Sequence, residues 1–294
     1  MLDNAVITLL YRTSSYDFEG ERMTDQATVL PSLSAVLSTV PAGGPLVLDR
    51  SWWSWAGPHG GLLAALALRA AVPLAGPGRS PRALGVQLLR TVDDGELRPG
   101  AELVCEGGSS STVSSVLRGS DGGVVVQAVL TSGRARGGGE PYAVVDMPEV
   151  PGPEDCTPLA LPVEVFPYGQ HFEHRPAGGA LPFSGGDRAE LLAWARLRDD
   201  DPLGTAALTV LADAMPPALY GISRTPLVIP TVDLSVSYAS GLDEEPRRGW
   251  VLVRIATRTS ADGWCVDDSE VWAPDGTLLV QARQTRRVLG ELSR

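Results

Sequence analysis

The chain has 294 residues, 44% hydrophobic and 20% charged, with a formal net charge of −11. That is the composition of a folded protein with room for two cores, and the acidic surplus argues against non-specific binding to nucleic acid or a membrane surface. All 24 basic residues are arginine; with no lysine, Schiff-base chemistry and P-loop phosphate binding drop out.

The opening MLDNAVITLLYR has neither a basic lead nor a long apolar core, so it does not read as a secretory signal. Cys105, Cys156 and Cys265 are odd in number and widely spaced, which fits neither a disulfide framework nor a metal site. A reducing cytoplasm is the expected setting. PLVLDRSWWSW (45–55) reads as a strand and HGGLLAALALRAAV (59–72) as a helix. The apolar run 62–75 is interrupted by Arg69 and is too short to span a bilayer, so it predicts a buried helix. Strands are expected near 83–91, 102–106, 112–118 and 124–131. Between 137 and 167 lie three consecutive glycines and the prolines 141, 148, 151, 153, 158, 162 and 167, the density of an extended linker. Strands near 169–174 and 189–197 follow, then a helix over 204–220, then strands near 231–238, 249–259, 263–273 and 277–288.

The last strand follows an Asp-Gly turn in DGTLLVQARQTRR (275–287), and a shift of 154 residues lays it on DGGVVVQAVLTSG (121–133). Side chains alternate along a strand. The earlier copy therefore carries a stripe of Val124, Val126, Ala128 and Leu130, whereas the later carries Leu278, Val280, Ala282 and Gln284. Leu130 is what a purely structural strand places there. An amide in its stead needs a partner, a water or a ligand, because an unpartnered buried amide costs roughly 2–7 kcal/mol. Each half thus reads as one long apolar helix followed by an antiparallel meander. A helix apolar nearly all round must be covered on most sides, which a curved sheet wrapped around it achieves.

That order, given twice with a Pro/Gly-rich crossover, resembles the double hotdog thioesterases, in particular the bacterial acyl-CoA thioesterase II group and the broader thioesterase-like superfamily. The resemblance implies an α+β fold of two tandem hotdog units, each with an antiparallel sheet wrapped around a central helix: an N-terminal unit 1–136, the linker 137–167, and a C-terminal unit 168–294 carrying the catalytic residues. It is carried by Asp213 in LADAMPPAL, Thr231 in IPTVDLSVSY, where Thr-hydrophobic-Asp matches the family pattern, and Gln284 nine residues after the turn Asp275. His59-Gly60-Gly61 is similar to the turn that smaller hotdog thioesterases place at the thioester carbonyl.

The implied activity is hydrolysis of an acyl thioester, on CoA or a carrier protein, by a water that Asp213, Thr231 and Gln284 activate, with no cofactor, metal or covalent intermediate. Asp213 is the sole charge between Gly204 and Ser223, so its carboxylate must be desolvated, paired or hydrogen-bonded. Backbone N–H groups near Gly60 and Gly61 would polarise the carbonyl, and His59, Gly60 and Gly61 are the substrate-binding candidates. Arg283, Arg286 and Arg287 are the dense cationic candidates for the CoA phosphates. His171 and His174 read as structural, and Trp52, Trp53 and Trp55 as core or subunit contacts, one of them able to line an acyl tunnel. No G-x-S-x-G elbow supports a serine hydrolase, and the second helix lacks the histidine of hotdog hydratases. Acyl transfer in the same pocket and acyl binding without turnover stay open as alternatives. Free sheet edges predict a homodimer, with no nucleic-acid or membrane partner.

Overall fold

The structure is a computed structural model that describes residues 30–40, 44–54, 57–92, 94–135, 142–159, 163 and 166–290. Trp55, glycines 137–139, Pro141 and Pro162 of the expected linker, and the N-terminal 29 residues lie outside the described residues.

In the first half a short helix α1 (Leu33–Ser38), capped by the Ser32 hydroxyl, leads to β1 (Leu46–Val47), β2 (Trp53–Ser54), β3 (Gly57–Pro58) and helix α2 (Gly60–Ala71). Four strands follow: β4 (Ser80–Leu88), β5 (Glu96–Glu106), β6 (Ser110–Arg118) and β7 (Val124–Gly133). The second half contributes β8 (Phe172–Gly179), β9 (Glu190–Leu197), helix α3 (Thr205–Ala212), β10 (Thr231–Tyr238), β11 (Val251–Ala261), β12 (Trp264–Trp272) and β13 (Leu278–Arg287). Eleven strands form one sheet in the order β1-β5-β6-β7-β4-β10-β13-β12-β11-β9-β8. This is the double hotdog, with the two halves fused where β4 pairs antiparallel with β10. There Val86 faces Leu234 and Leu84 faces Val236, all four buried, so the core runs across the seam.

Each helix is sunk in its own half of the sheet, and the two pack on each other. On α2 every residue from Gly61 to Leu68 is buried, and each leucine so placed is worth about 1.5–3 kcal/mol relative to exposure. Polar groups reach in around α2 to meet backbone carbonyls: the Ser115 hydroxyl donates to Ala67 O at 2.9 Å, and Ser111 to Ala75 O at 2.7 Å. Gly204 cannot cap α3 with a side chain. Asp243, from the loop after β10, accepts from the Thr205 N–H at 2.7 Å instead.

Both Asp-Gly turns form as read, with Gly122 at φ +78 and Gly276 at φ +86, where glycine carries no Cβ penalty. The strand ends match in register as well: Leu130 faces Leu84 as Gln284 faces Leu234. Three elements differ from the reading. The helix expected over 204–220 stops at Ala212, because Asp213 leaves helical geometry (φ −109, ψ 8) ahead of Pro216-Pro217, and only a 3-10 turn, Ala218–Gly221, follows. The first expected strand is interrupted by a 3-10 turn, Arg50–Trp52, whose start is capped by Asp49; it drives Trp52 inward to stack on His171 at 3.7 Å. A third 3-10 turn, Pro167–His171, takes the start of the expected strand 169–174, so β8 begins at Phe172.

Candidate active site

The N-terminus of α2 meets the C-terminus of α3, and the glycines make the approach possible. A Cβ on Gly61 would lie 2.9 Å from Asp213 Cβ and 3.1 Å from Val210 Cα; one on Gly60 would lie 3.0 Å from Asp213 Oδ2. The Gly61 N–H donates to that Oδ2 at 2.7 Å, which is how this carboxylate is held at the end of an apolar helix. His59 is the N-cap of α2. Its Nδ1 accepts from the Leu62 N–H at 3.2 Å, so the ring proton belongs on Nε2, which donates to Asp213 O at 3.0 Å. Burial holds His59 below the usual imidazole range against the opposing pull of Asp213, and it braces the helix junction as a neutral ring.

From the other side come the ends of β10 and β13. Thr231 opens β10 beside a bulge that separates it from Asp233. The Thr231 hydroxyl donates to Gln284 Oε1 at 2.9 Å and accepts from Arg286 Nη1 at 2.8 Å. Asp233, the third residue of the Thr-hydrophobic-Asp pattern, accepts from the Gln87 amide of β4 and so ties the seam. Arg286 Nε stands 3.0 Å from Asp267 Oδ2, and Arg286 Nη2 stands 3.8 Å from Asp213 Oδ1. Asp267 is fully buried and also accepts from the Thr257 hydroxyl at 2.7 Å.

These groups bound a cavity of about 370 Å³. Its lining includes the polar cluster of His59, Gly60, Asp213, Thr231 and Arg286 and the apolar Leu63, Leu88, Val92, Phe166, Met215 and Ile229. A smaller chamber of about 60 Å³ shares Phe166, Tyr168, Met215, Pro216 and Tyr220 with it. Gln284 is wholly buried and is not a lining residue; it stands behind Thr231, and its Nε2 has no hydrogen-bond partner among the described residues.

The structure thus brings together His59, Gly60, Gly61, Asp213, Thr231 and Gln284, with two changes to the expected roles. The Gly61 N–H is taken by Asp213, which leaves Gly60 as the glycine of this pair that faces the cavity. Thr231 and Gln284 bond to each other, with Gln284 in a second layer. One of the three arginines departs from the expectation: Arg286 is buried inside the site, whereas Arg283 is paired with Asp268 and Arg287 lies over the Trp264 ring. Arg90, bonded to Asp121, is the arginine besides Arg286 that lines the cavity. The linker-end residues Phe166 and Tyr168 gave no signal in the sequence; burial raises Tyr168 above the usual phenol range and keeps its hydroxyl protonated. His171 and His174 are buried, both pushed down to about 4 mainly by loss of solvent. Among the described residues, no three His, Cys, Asp or Glu side chains gather as a metal site, and no helix is long and apolar enough to cross a membrane.

Residues 49–133 match the family model of the acyl-CoA thioesterase N-terminal domain, and residues 153–288 that of the acyl-CoA thioesterase C-terminal domain. The chain belongs to the acyl-CoA thioesterase family. Solved structures similar to it include a conserved hot dog fold protein of unknown function from Alicyclobacillus acidocaldarius, with 27% identity over 83% of this chain and 92% of that one and a TM-score of 0.76. Another is the acyl-CoA thioesterase II TesB2 from Mycobacterium marinum, with 19% identity over 83% of this chain and 91% of that one and a TM-score of 0.64, a likeness of fold. No curated protein matches the sequence. Membership in the acyl-CoA thioesterase family agrees with a cavity lined by apolar side chains together with a few polar groups.

Proposed function

We propose that this site hydrolyses an acyl thioester, carried on CoA or on a carrier protein, by direct attack of water. One observation carries the reading: Asp213 has one carboxylate oxygen fixed by the Gly61 N–H and lines, together with Thr231, a cavity walled largely by apolar side chains. In the reaction Asp213 accepts a proton from water as the water oxygen bonds to the carbonyl carbon. The tetrahedral intermediate then expels the thiolate, and the proton returns to sulfur. Thr231 orients the water, and Gln284 fixes the rotamer of Thr231 through their hydrogen bond. The Gly60 N–H, at the positive end of α2, polarises the carbonyl oxygen in this reading. A homodimer and a cytoplasmic setting belong to the same proposal; light scattering on the purified chain tests the first.

The decisive experiment is thiol release from a panel of acyl-CoAs, acetyl to palmitoyl plus phenylacetyl, with wild type beside Asp213→Asn. Asn keeps an acceptor for Gly61 but no base, so the rate is expected to fall by a factor of roughly 100 to 10,000 at unchanged stability. No release by wild type from any acyl-CoA defeats hydrolysis on CoA, and no release from acyl-carrier protein as well defeats the proposal.

A further inference from the structure

We propose that Arg286 is a catalytic residue of this site, donating from Nη2 to the thioester carbonyl oxygen and to the oxyanion it becomes. This rests on the hydrolysis reading above and adds to it a second, charged donor beside the Gly60 N–H.

The placement is the first argument. Arg286 lies two residues past Gln284 on the inward face of β13 and is only 4% exposed, although arginine is rarely buried without a reason. Its counterpart in the first repeat, again shifted by 154 residues, is Ser132. The fold therefore does not need a cation at this point of the strand.

How its donors are used is the second argument. Nη1 is committed to Thr231 and Nε faces Asp267, which anchors the guanidinium plane from two directions. Nη2 faces Asp213 across 3.8 Å; like Nε, which has the Asp267 carboxylate 3.0 Å away, it is buried with no hydrogen-bond partner among the described residues, and Arg286 lines the cavity. A water bonded to Asp213 Oδ1 and a carbonyl oxygen bonded to Nη2 would be neighbours. That suits an attacking atom about 3–3.5 Å from the carbonyl carbon. The donor is fixed before the reaction begins, and its positive charge matches the negative charge that develops as the C=O bond becomes C–O⁻. When the intermediate collapses, the electron pair returns to reform C=O while the C–S bond breaks and the proton from Asp213 goes to sulfur. The guanidinium stays protonated throughout and exchanges nothing with the substrate.

A purely structural Arg286 would serve only to neutralise Asp267, and two variants separate these roles. Arg286→Lys keeps a cation for Asp267 but cannot fork toward both Thr231 and the cavity. In the double variant Arg286→Met with Asp267→Leu, the buried pair is removed together, so Asp267 is not left behind as a lone charge. Each is assayed for kcat and KM on the best acyl-CoA of the panel, after circular dichroism and thermal melting establish folding. The expected result is a kcat fall of about 100-fold or more in the double variant and about tenfold or more in Arg286→Lys. KM should stay within a few-fold of wild type in both. If Arg286→Lys, or a folded double variant, keeps kcat within threefold of wild type, Arg286 is not catalytic and the hydrolysis reading stands. If wild type itself turns over no thioester, the hydrolysis reading falls and this proposal with it.

Discussion

The ends of β7 and β13 are two versions of one structure. In the first half Val113 faces Leu130 across the β6–β7 ladder, and Ser132 follows on the same side; all three are buried. In the second half Asp267 faces Gln284 across the β12–β13 ladder, and Arg286 follows, again all buried. Each residue of the second set is shifted by 154 residues from its mate in the first. The same turn, register and depth of burial are thus built once with an almost wholly apolar end and once with an acid, an amide and a guanidinium. The hotdog unit is satisfied by the first; the second keeps its fold only because its polar groups answer one another and the cavity.

The comparison can be broken most severely by Ser132→Arg. This places a guanidinium where Val113 stands in for Asp267, and an unpaired buried charge should cost about 3–5 kcal/mol. Urea denaturation of the variant would show it, and a midpoint within error of wild type would refute the equivalence of the two positions. Acid comes next. His171 and His174 are held neutral, with values of about 4 against 6.5 for a solvated ring. The unfolded chain therefore binds more protons than the native one between those limits. Stability is full above pH 6.5 and drains as pH falls toward 4, by on the order of 3 kcal/mol for each histidine. Melts from pH 7.5 to 4 should trace that slope, and it should shrink in His171→Gln.

A milder change is Leu130→Gln, which gives the first half the amide without Thr231 or Asp267. We expect a loss of about 1–3 kcal/mol with kcat per folded molecule unchanged. Smallest in stability is the reverse swap, Gln284→Leu. It deletes an amide nitrogen that has no partner among the described residues along with the acceptor for Thr231. Stability should move by no more than about 1 kcal/mol, because the two losses oppose each other. The rate should fall, since the Thr231 hydroxyl then loses the acceptor that fixes its proton and keeps only the Arg286 donor. Equal rates in Gln284→Leu and wild type would show that Thr231 holds its position without help.

Much of this was legible in the chain. Asp-Gly at 121–122 and 275–276 announced the turns, the period-two stripes announced the core face, and the amide at Gln284 announced that the two halves differ. Asp213 stood out because it is one charge in an apolar stretch. What could not be read was distance. Nothing in the local pattern says that Gly61 would use its N–H on Asp213, because the two are 152 positions apart and meet only when α2 and α3 pack. Arg286 lay among three arginines that look alike in sequence, and only the pleat, with Asp267 turned in and Asp268 turned out, sorts them. Phe166 and Tyr168 were hidden at the end of the proline-rich linker and just past it, where neither period two nor period 3.6 applies.

The hydrogen bond from Gly61 to Asp213 crosses from one repeat to the other, and that bears on how such a chain can change over generations. A substitution that shifts α2 in the first repeat moves the base supplied by the second. The apolar repeat is therefore not at liberty to drift, even though it supplies neither the base nor the buried guanidinium of the site. Hybrids that join the first half of one relative to the second half of another should accordingly fold more often than they work.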